Sequence, residues 1–167
     1  MAKKESRLIG ELKNKFKGKI KVQSERRIWV SIETNKLIET CNWIKDHGFV
    51  HLSAISVTDW LEKKKYELTY HLWSYDDKML VTIKTNINRD KPVIDSVSSI
   101  WNESAQIHER ELHELFGVKF KGNQDLLPLF LEGWKGPAPF RKDFNWRKYV
   151  TDEFYSKKNE REKIYYD

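Results

Sequence analysis

Two strongly alternating segments in the middle of the chain limit the folds that it can adopt. Apolar and polar residues alternate over residues 66–73 and again over 79–87, and the polar residues 76–78 separate the two runs. A two-residue period is the pattern of a strand with one buried face. Two such runs joined by a short polar turn indicate a β-hairpin near the centre of the chain.

The rest of the chain mixes helical and strand-like patterns, which predicts a two-layer α+β domain with helices packed on a mixed or mostly antiparallel sheet. Helices are predicted where apolar residues recur at helical spacing, over residues 3–17, 35–47 and 102–116, each followed by a glycine (Gly18, Gly48 and Gly117). Further strands are predicted over residues 19–33 (as a hairpin), 49–52 and 56–60. Thr34 and Asn102 are placed to cap the second and third helices, and residues 93–101 are predicted to form a short helical turn.

Composition indicates a folded domain that something else covers. The chain has 167 residues, with 7 Trp, 7 Tyr and 8 Phe beside 34% charged residues. Its net charge of +6 is spread among interleaved acidic residues, which is typical of a solvated surface. The lone Cys41 excludes an internal disulfide and is predicted to lie in the core, while the dominance of Lys and Glu favours a thermophilic source. No apolar run reaches the ~20 residues of a membrane span, so the prediction is a cytoplasmic protein.

The helix before Gly117 contains histidines and acids but no catalytic arrangement. His108 and His113 are five residues apart, or ~140° around a helix, so they cannot share a metal ion as the zinc-protease motif requires. Glu109 and Glu111 flank Arg110 and are predicted to form a charged face in which Arg110 pairs with an acid. The packing stripe of this helix is predicted to comprise Ala105, His108, Leu112, and Leu115 or Phe116. Phosphate-binding and nucleophile motifs are missing, which favours a binding or scaffolding domain.

The segment after the predicted domain has an unusual composition. Trp134, Pro137, Pro139 and Phe140 stand close together, and prolines restrict the chain to extended conformations that lose little entropy on binding. We therefore divide the chain into an α+β domain over residues 1–132 and, over 133–167, an extended docking arm followed by a charged C-terminal segment. The alternative is a tail folded back on its own domain.

Three stretches between about residue 49 and residue 144 follow a recognisable order. They are the strand pair that includes 56–60 and 66–73, Glu109-Arg110-Glu111 with the Gly that ends the helix, and the G-W-K-G-P-A-P-F-R-K-D-F run of 133–144. In these stretches the chain resembles the 30-kDa subunit family (the C subunits) of NADH:quinone oxidoreductase (complex I) and its counterparts in membrane-bound [NiFe]-hydrogenase complexes. Residues 123–128 depart from the respiratory pattern H-P-D-L-R-R by lacking its His and both Arg, which favours the hydrogenase branch.

The resemblance implies a structural and assembly subunit of an ion-translocating, ferredoxin-dependent [NiFe]-hydrogenase-type complex, on the cytoplasmic side of the cell membrane. Its partners would be the large Ni-Fe-type subunit and the small iron–sulfur subunit; those chains would hold the Ni-Fe and iron–sulfur centres and link it to the membrane. No cofactor is expected on this chain, and no nucleic acid. The residues predicted to bind partners are Glu109, Arg110, Glu111, Phe116, Trp134, Pro137, Pro139, Phe140, Arg141 and Asp143.

Two alternatives to this function remain open. The chain could instead be the C subunit of an NADH:quinone oxidoreductase-type respiratory complex. It could also be a basic nucleic-acid-binding module, an interpretation that rests on its pI of about 9.2 and its many aromatic residues.

Overall fold

A computed structural model gives the fold of the chain over residues 2–16 and 19–155. The helices are α1 (Ala2–Phe16), α2 (Leu37–Asp46), α3 (Ser98–Phe116) and α4 (Trp146–Phe154). The strands are β1 (Lys19–Ser24), β2 (Arg27–Ser31), β3 (His51–Trp60), β4 (Lys65–Ser74), β5 (Met79–Asn88), β6 (Val93–Asp95) and β7 (Lys119–Lys121). Gly18 and residues 156–167, which the sequence predicts to end a helix and to form part of the C-terminal segment, lie outside the described residues.

The main sheet has the strand order β1-β2-β5-β4-β3. The predicted central hairpin is confirmed as β4 and β5, whose antiparallel register runs from Lys65 opposite Asn88 to Ser74 opposite Met79. The predicted hairpin at 19–33 is confirmed as β1 and β2, and β2 then lies parallel to β5. Helices on a mixed, mostly antiparallel sheet confirm the predicted α+β class.

The core lies between one face of this sheet and helices α1, α2 and α3. The inner face of β4 contributes Tyr66, Leu68, Tyr70 and Leu72, which are fully buried. The helices close over them with Leu12, Leu37 and Ile44, among others. Cys41 is buried in the same core as predicted, and this burial raises the pKa of its thiol well above the ordinary range.

Short elements depart from the predictions. Residues 93–95 form β6, which pairs in parallel with β7, because three-residue strands that meet from distant parts of the chain leave no periodic signal. Helix α3 spans Ser98–Phe116 but is kinked at Trp101 and Asn102, where the φ of Asn102 is 40°. The turn before the kink confirms the short helical turn predicted within 93–101, and the main part of the helix follows Asn102 as predicted. Thr34 does not cap α2, since its Oγ1 donates instead to the backbone oxygen of Asn86 at 2.9 Å and a 3-10 turn comes between.

The segment after residue 132 bends back onto the domain over residues 133–144, so its contacts cross the predicted boundary. The alternative that the sequence left open, a tail folded on its own domain, describes this part. Helix α4 follows, and its N-cap Asn145 accepts a hydrogen bond from the backbone N–H of Lys148 at 3.0 Å. Helix α4 has no buried residue, as predicted for a segment outside the core.

Candidate partner-binding surface

A buried arginine ties the C-terminal segment to one end of the sheet. Asp59 near the end of β3 and Ile87 of β5 both lie opposite Tyr66 of β4, so Arg89, two residues further on, reaches Asp59. Arg89 Nε and Nη2 donate to the two carboxylate oxygens of Asp59 at 2.7 and 2.9 Å. Arg89 Nη1 and Nη2 donate to the two oxygens of Asp143 at 3.0 and 2.7 Å. We call Asp59, Arg89 and Asp143 the clamp.

The clamp is buried where it faces the sheet and partly exposed to solvent where it faces the tail. The side chains of Arg89 and Asp59 are 4% and 2% exposed, whereas that of Asp143 is 46% exposed. Arg141 Nε and Nη2 also donate to Asp143, both at 3.1 Å. The backbone N–H of Lys142 donates to Asp59 Oδ2 at 3.0 Å. Both carboxylates therefore receive several charge-assisted or backbone hydrogen bonds, which is the condition for keeping ionised groups inside a protein.

The pKa values of the clamp favour its charged form. Burial raises the pKa of Asp59, but hydrogen bonds from Arg89 and from the backbone of Lys142 outweigh it, so the net pKa is lowered. Hydrogen bonds from Arg89 and then Arg141 hold the pKa of Asp143 well below its ordinary range. The hydrogen bonds to Asp143 and then to Asp59 raise the pKa of Arg89. The clamp is consequently fully ionised at neutral pH.

Aromatic contacts fix the middle of the tail against α3. The ring of Phe140 meets that of Phe116 edge-on at 5.8 Å, and Phe116 meets Tyr66 of the core at 6.0 Å. The backbone N–H of Phe140 donates to the carbonyl of Leu115 at 3.0 Å. Phe140 nevertheless remains largely exposed, because only one side of its ring contacts the domain and the rest faces solvent.

A second aromatic cluster holds the two ends of the tail together. Trp134 lies 4.8 Å from the ring of Tyr149 in α4 and 6.1 Å from that of Phe144. Its Nε1 donates to the carbonyl of Pro137 at 3.0 Å. Gly136 sits under these rings, and a Cβ there would come within 2.6 Å of the Trp134 ring. A side chain at position 136 would therefore displace the rings of Trp134 and Tyr149 from this turn of the G-W-K-G-P run.

Two side chains of α3, one turn apart, hold the loop that precedes the tail. Arg110 Nε and Nη2 donate to the backbone oxygens of Leu127 and Pro128, each at 3.0 Å. Glu114 accepts from the backbone N–H groups of residues 129–131 at 3.3, 2.9 and 2.6 Å. These bonds satisfy backbone groups that have no strand or helix partner, so the loop is ordered without being buried.

The ordered loop carries large apolar side chains outward. Leu127 is 67% exposed and Phe130 is 65% exposed. Together with Phe140 of the tail we call them the exposed apolar surface. A groove of about 350 Å³ separates the loop from the tail, and it is lined by Leu126, Pro128, Leu131, Trp134, Gly136 and Ala138, among others.

Glu109 does not lie on the charged face that the sequence predicts. It is fully buried and takes the position in the packing stripe that the prediction gave to the half-buried His108. Ser96 Oγ and Asn123 Nδ2 donate to its Oε2 at 2.7 and 2.9 Å, and the N–H of Val97 donates to its Oε1 at 2.8 Å. Burial raises the pKa of Glu109 although these three hydrogen bonds lower it. Glu109 thus joins β6, α3 and the turn after β7, and its carboxylate faces the interior.

The other predicted partner-binding residues lie in or under the loop and tail, except Glu111. These are Arg110, Phe116, Trp134, Pro137, Pro139, Phe140, Arg141 and Asp143. Glu111 is on α3 with its Oε2 4.0 Å from His108 Nδ1. Arg110 pairs with an acid as predicted, but the acid is Asp125, at 3.6 Å, rather than a helix neighbour.

Sequence reasoning missed both clamp residues of the sheet, Asp59 and Arg89. Each is a charged residue beside the end of a strand, and neither has the spacing of a catalytic or metal-binding motif. The one available signal was the strand register, which places Asp59 and Ile87 opposite Tyr66 and leaves Arg89 two residues beyond Ile87.

The described part of the chain has neither a metal-ligand cluster nor a membrane-spanning helix. Over residues 2–16 and 19–155, no group of three or more His, Cys, Asp or Glu side chains is arranged to hold a metal ion. Within those same ranges, no helix is both long and apolar enough to cross a bilayer.

The fold and the site define a class of small α+β domain whose C-terminal segment is clamped across one end of the sheet and presents apolar side chains outward. Residues 30–150 match the family described as respiratory-chain NADH dehydrogenase, 30 Kd subunit. The chain belongs to this family, which confirms the resemblance seen in its residues.

Individual relatives come from several kinds of complex. The chain is 36% identical over 143 residues to the C subunit of the F(420)H(2) dehydrogenase of Methanosarcina mazei, across 82% of this chain and 89% of that protein. It is 32% identical over 124 residues to a C subunit of the NADH-quinone oxidoreductase of Rhizobium etli, across 71% of this chain and 65% of that protein. A chain of the archaeal membrane-bound sulfane sulfur reductase, a respiratory membrane complex, superposes with a TM-score of 0.82 at 28% identity, over 91% of this chain and 92% of that one.

Proposed function

We propose that this chain is a non-catalytic subunit of the peripheral arm of a membrane-bound electron-transfer complex, where it supports the large subunit. The exposed apolar surface carries the proposal. Leu127 and Phe130 stand outward on a loop whose backbone is fixed by Arg110 and Glu114, so their exposure is built into the fold. Large apolar side chains displayed in this way are typical of protein contacts.

Relatives support the same role, because each is a subunit or chain of a respiratory-type assembly. Within such an assembly, the large Ni-Fe-type subunit and the small iron–sulfur subunit are the proposed partners. In this proposal they hold the redox centres, and the chain lies on the cytoplasmic side and reaches the membrane through them. The groove between loop and tail would receive an apolar side chain of the large subunit.

Two kinds of complex fit this role. The hydrogenase type is favoured by residues 123–128, which lack the His and both Arg of the respiratory pattern and instead present Leu127 beside Pro128. Since these positions bear apolar groups, a contact made through charges in respiratory complexes would here be apolar. The quinone-linked type is supported equally by the similarity to an NADH-quinone oxidoreductase subunit.

Affinity purification from the native organism tests the proposal. A tagged chain is expected to retain a large and a small subunit, identified by mass spectrometry, and their cofactors decide between the two kinds of complex. The variant Leu127→Asp is expected to lose both subunits, because a carboxylate would be buried without a partner at the contact. The matched control is Val50→Asp, which places the same charge on an exposed apolar residue of another loop.

Both variants should unfold at the same temperature as the natural chain, since neither side chain belongs to the core. Retention of the partner subunits by Leu127→Asp would remove the exposed apolar surface from the proposal. Purification of the natural chain without any partner would contradict the proposed function itself.

A further inference from the structure

The main sheet has a second face, away from the core, that the proposed partner contact does not use. Helices α1, α2 and α3 cover the face that carries Tyr66, Leu68, Tyr70 and Leu72. Side chains alternate across a strand, so the residues between them point to the opposite side. Among the large apolar residues there, Trp29, Trp73 and Leu80 are half-buried and Trp60 is exposed, and none of the four belongs to the core. We call this side the open face.

The strand register places basic and aromatic side chains next to each other on the open face. Lys21 of β1 lies opposite Trp29 of β2. In the next strand pair, Arg27 lies opposite Leu80, which in turn lies opposite Trp73. Ser31 of β2 lies between two lysines, since Lys19 of β1 is opposite it on one side and Lys84 of β5 is opposite it on the other. Because side chains that are directly opposite share a face, these residues form adjoining rows across four strands.

The charge of the open face is strongly one-sided. Its basic side chains are Lys19, Lys21, Arg27, Lys65 and Lys84. The acidic side chain among the paired positions of this face is Glu67, which is 3.0 Å from Lys84 Nζ. Positive charge therefore remains unbalanced toward β1 and β2. A surface of this kind attracts a partner of opposite charge.

The lysines are held in place by an aromatic ring. Lys84 Nζ lies 4.6 Å from the centroid of the Trp29 ring, and Lys21 Nζ lies 5.7 Å from it. Cation–π contacts of this length restrict two long side chains that would otherwise be mobile. Ordering them in advance lowers the entropy that a partner must overcome on binding. A ring engaged by two lysines is also a poor platform for stacking nucleobases, which single-stranded nucleic acid requires.

The open face is large enough for a segment of another protein. Strands lie about 4.8 Å apart and rise about 3.3 Å per residue, so five strands of up to ten residues span roughly 20 Å by 30 Å. That area accommodates a helix or a pair of strands, with apolar contacts at Trp73 and Leu80 and carboxylates toward β1 and β2.

We propose that the open face binds an acidic amphipathic segment of another subunit of the same assembly, separate from the contact made by the exposed apolar surface. This inference rests on the proposed function in one respect, namely that the chain is part of a complex. The two contacts differ in chemistry, since the exposed apolar surface makes an apolar contact, whereas the open face pairs lysine ammonium groups with carboxylates.

Lysine labelling of the purified complex tests the proposal. Acetylation with an N-hydroxysuccinimide ester should modify Lys21 and Lys84 several-fold more slowly in the complex than in the isolated chain. A zero-length carbodiimide should join one of them to an Asp or Glu of another subunit. Equal labelling in both states, with no such cross-link, would overturn the inference while leaving the proposed function intact.

Charge reversal provides the second measurement. The double variant Lys19→Glu/Lys21→Glu on β1 is expected to weaken retention of the open-face partner about tenfold at physiological salt. The matched control is Lys119→Glu/Lys121→Glu, which reverses two exposed lysines with the same spacing on β7. Equal effects of the two variants would contradict a specific open face. So would binding of single-stranded DNA by the natural chain that the β1 variant abolishes, because that result would assign the face to nucleic acid.

Discussion

The sheet domain and the C-terminal segment of this protein are held by different kinds of interaction. Between the sheet and its helices, the contacts are apolar, and residues such as Leu72 are fully buried. The tail is attached chiefly by the clamp, by backbone hydrogen bonds and by ring edges, while Phe140 stays largely exposed. The domain therefore uses its apolar side chains for its own stability, whereas the loop and tail keep theirs for a partner.

This difference explains why a charged group is buried at the junction. Removing Arg89 and Asp59 from water costs much of what their pairing returns, so the clamp adds little net stability compared with an apolar core. It does specify geometry, because a bidentate arginine fixes both position and orientation of a carboxylate. The clamp thus positions the tail without consuming the aromatic residues that the tail displays.

The largest effect is expected from breaking the clamp at its centre. Arg89→Met should lower the free energy of unfolding by about 3–5 kcal/mol, because it leaves the carboxylate of Asp59 buried without a counter-ion. Urea unfolding followed by circular dichroism measures the change. A loss below about 1 kcal/mol, the range of an exposed ion pair, would show that the clamp is not buried as described.

Large apolar residues of the two regions should differ in their contribution to stability. Leu72→Ala in the core should cost about 2–5 kcal/mol, the range for a buried leucine replaced by alanine. Phe140→Ala should cost about 1 kcal/mol, because it removes little more than the ring contact with Phe116. The same unfolding experiment compares the variants, and equal losses would mean that the tail is part of the core.

The outer carboxylate of the clamp should affect the tail more than the domain. Asp143→Asn is expected to cost about 1 kcal/mol of global stability, since Asp59 still neutralises Arg89. Locally it weakens the attachment, so limited digestion with trypsin should cut after Arg141 and Lys142 several-fold faster. Cleavage after Lys84, in the middle of β5, is the internal control and should not change.

The smallest expected effects are those of pH on stability, and they have opposite signs for the clamp carboxylates and for Glu109. The lowered pKa values of Asp59 and Asp143 mean that the stability they contribute is present above about pH 4 and is lost as the pH falls. The raised pKa of Glu109 means that its contribution is fully present below about pH 4 and is lost as the pH rises through the folded-state pKa.

Unfolding of variants between pH 3 and pH 7 separates these two contributions. The stability difference between the natural chain and Asp143→Asn should shrink toward low pH. Relative to Glu109→Gln, the natural chain should become less stable toward neutral pH. A pH dependence of the same sign in both comparisons would contradict the assignment.

Much of the fold follows from the sequence because long strands and helices leave a periodic signal. The pattern of 66–73 and 79–87 predicted β4 and β5 directly, and the resemblance at Glu109-Arg110-Glu111 and in 133–144 predicted the family that the comparisons confirm. The three-residue strands β6 and β7 could not be found in this way, since their pairing depends on tertiary contacts alone.

The residues of the candidate site and their arrangement depend on different information. Arg110, Trp134 and Phe140 were singled out from the sequence, and their role in binding a partner stays a prediction. Nothing local showed that Arg110 binds the carbonyls of a loop 17 residues away. Glu109 was assigned to a charged face because its neighbours are charged, and its donors, Ser96 and Asn123, come from either side of the helix in sequence. Side-chain to backbone bonds between distant segments have no sequence period, so the structure was needed to find them.

Hydrogen exchange of the isolated chain tests most directly whether the tail is folded on its own domain before any partner binds. The amides of Phe140 and Lys142, which donate to Leu115 and Asp59, are predicted to exchange far more slowly than those of an unstructured peptide. In the purified complex, the amides of the loop that carries Leu127 and Phe130 should gain further protection. Exchange of Phe140 and Lys142 at the rate of an unstructured peptide in the isolated chain would contradict the clamp and restore the extended docking arm.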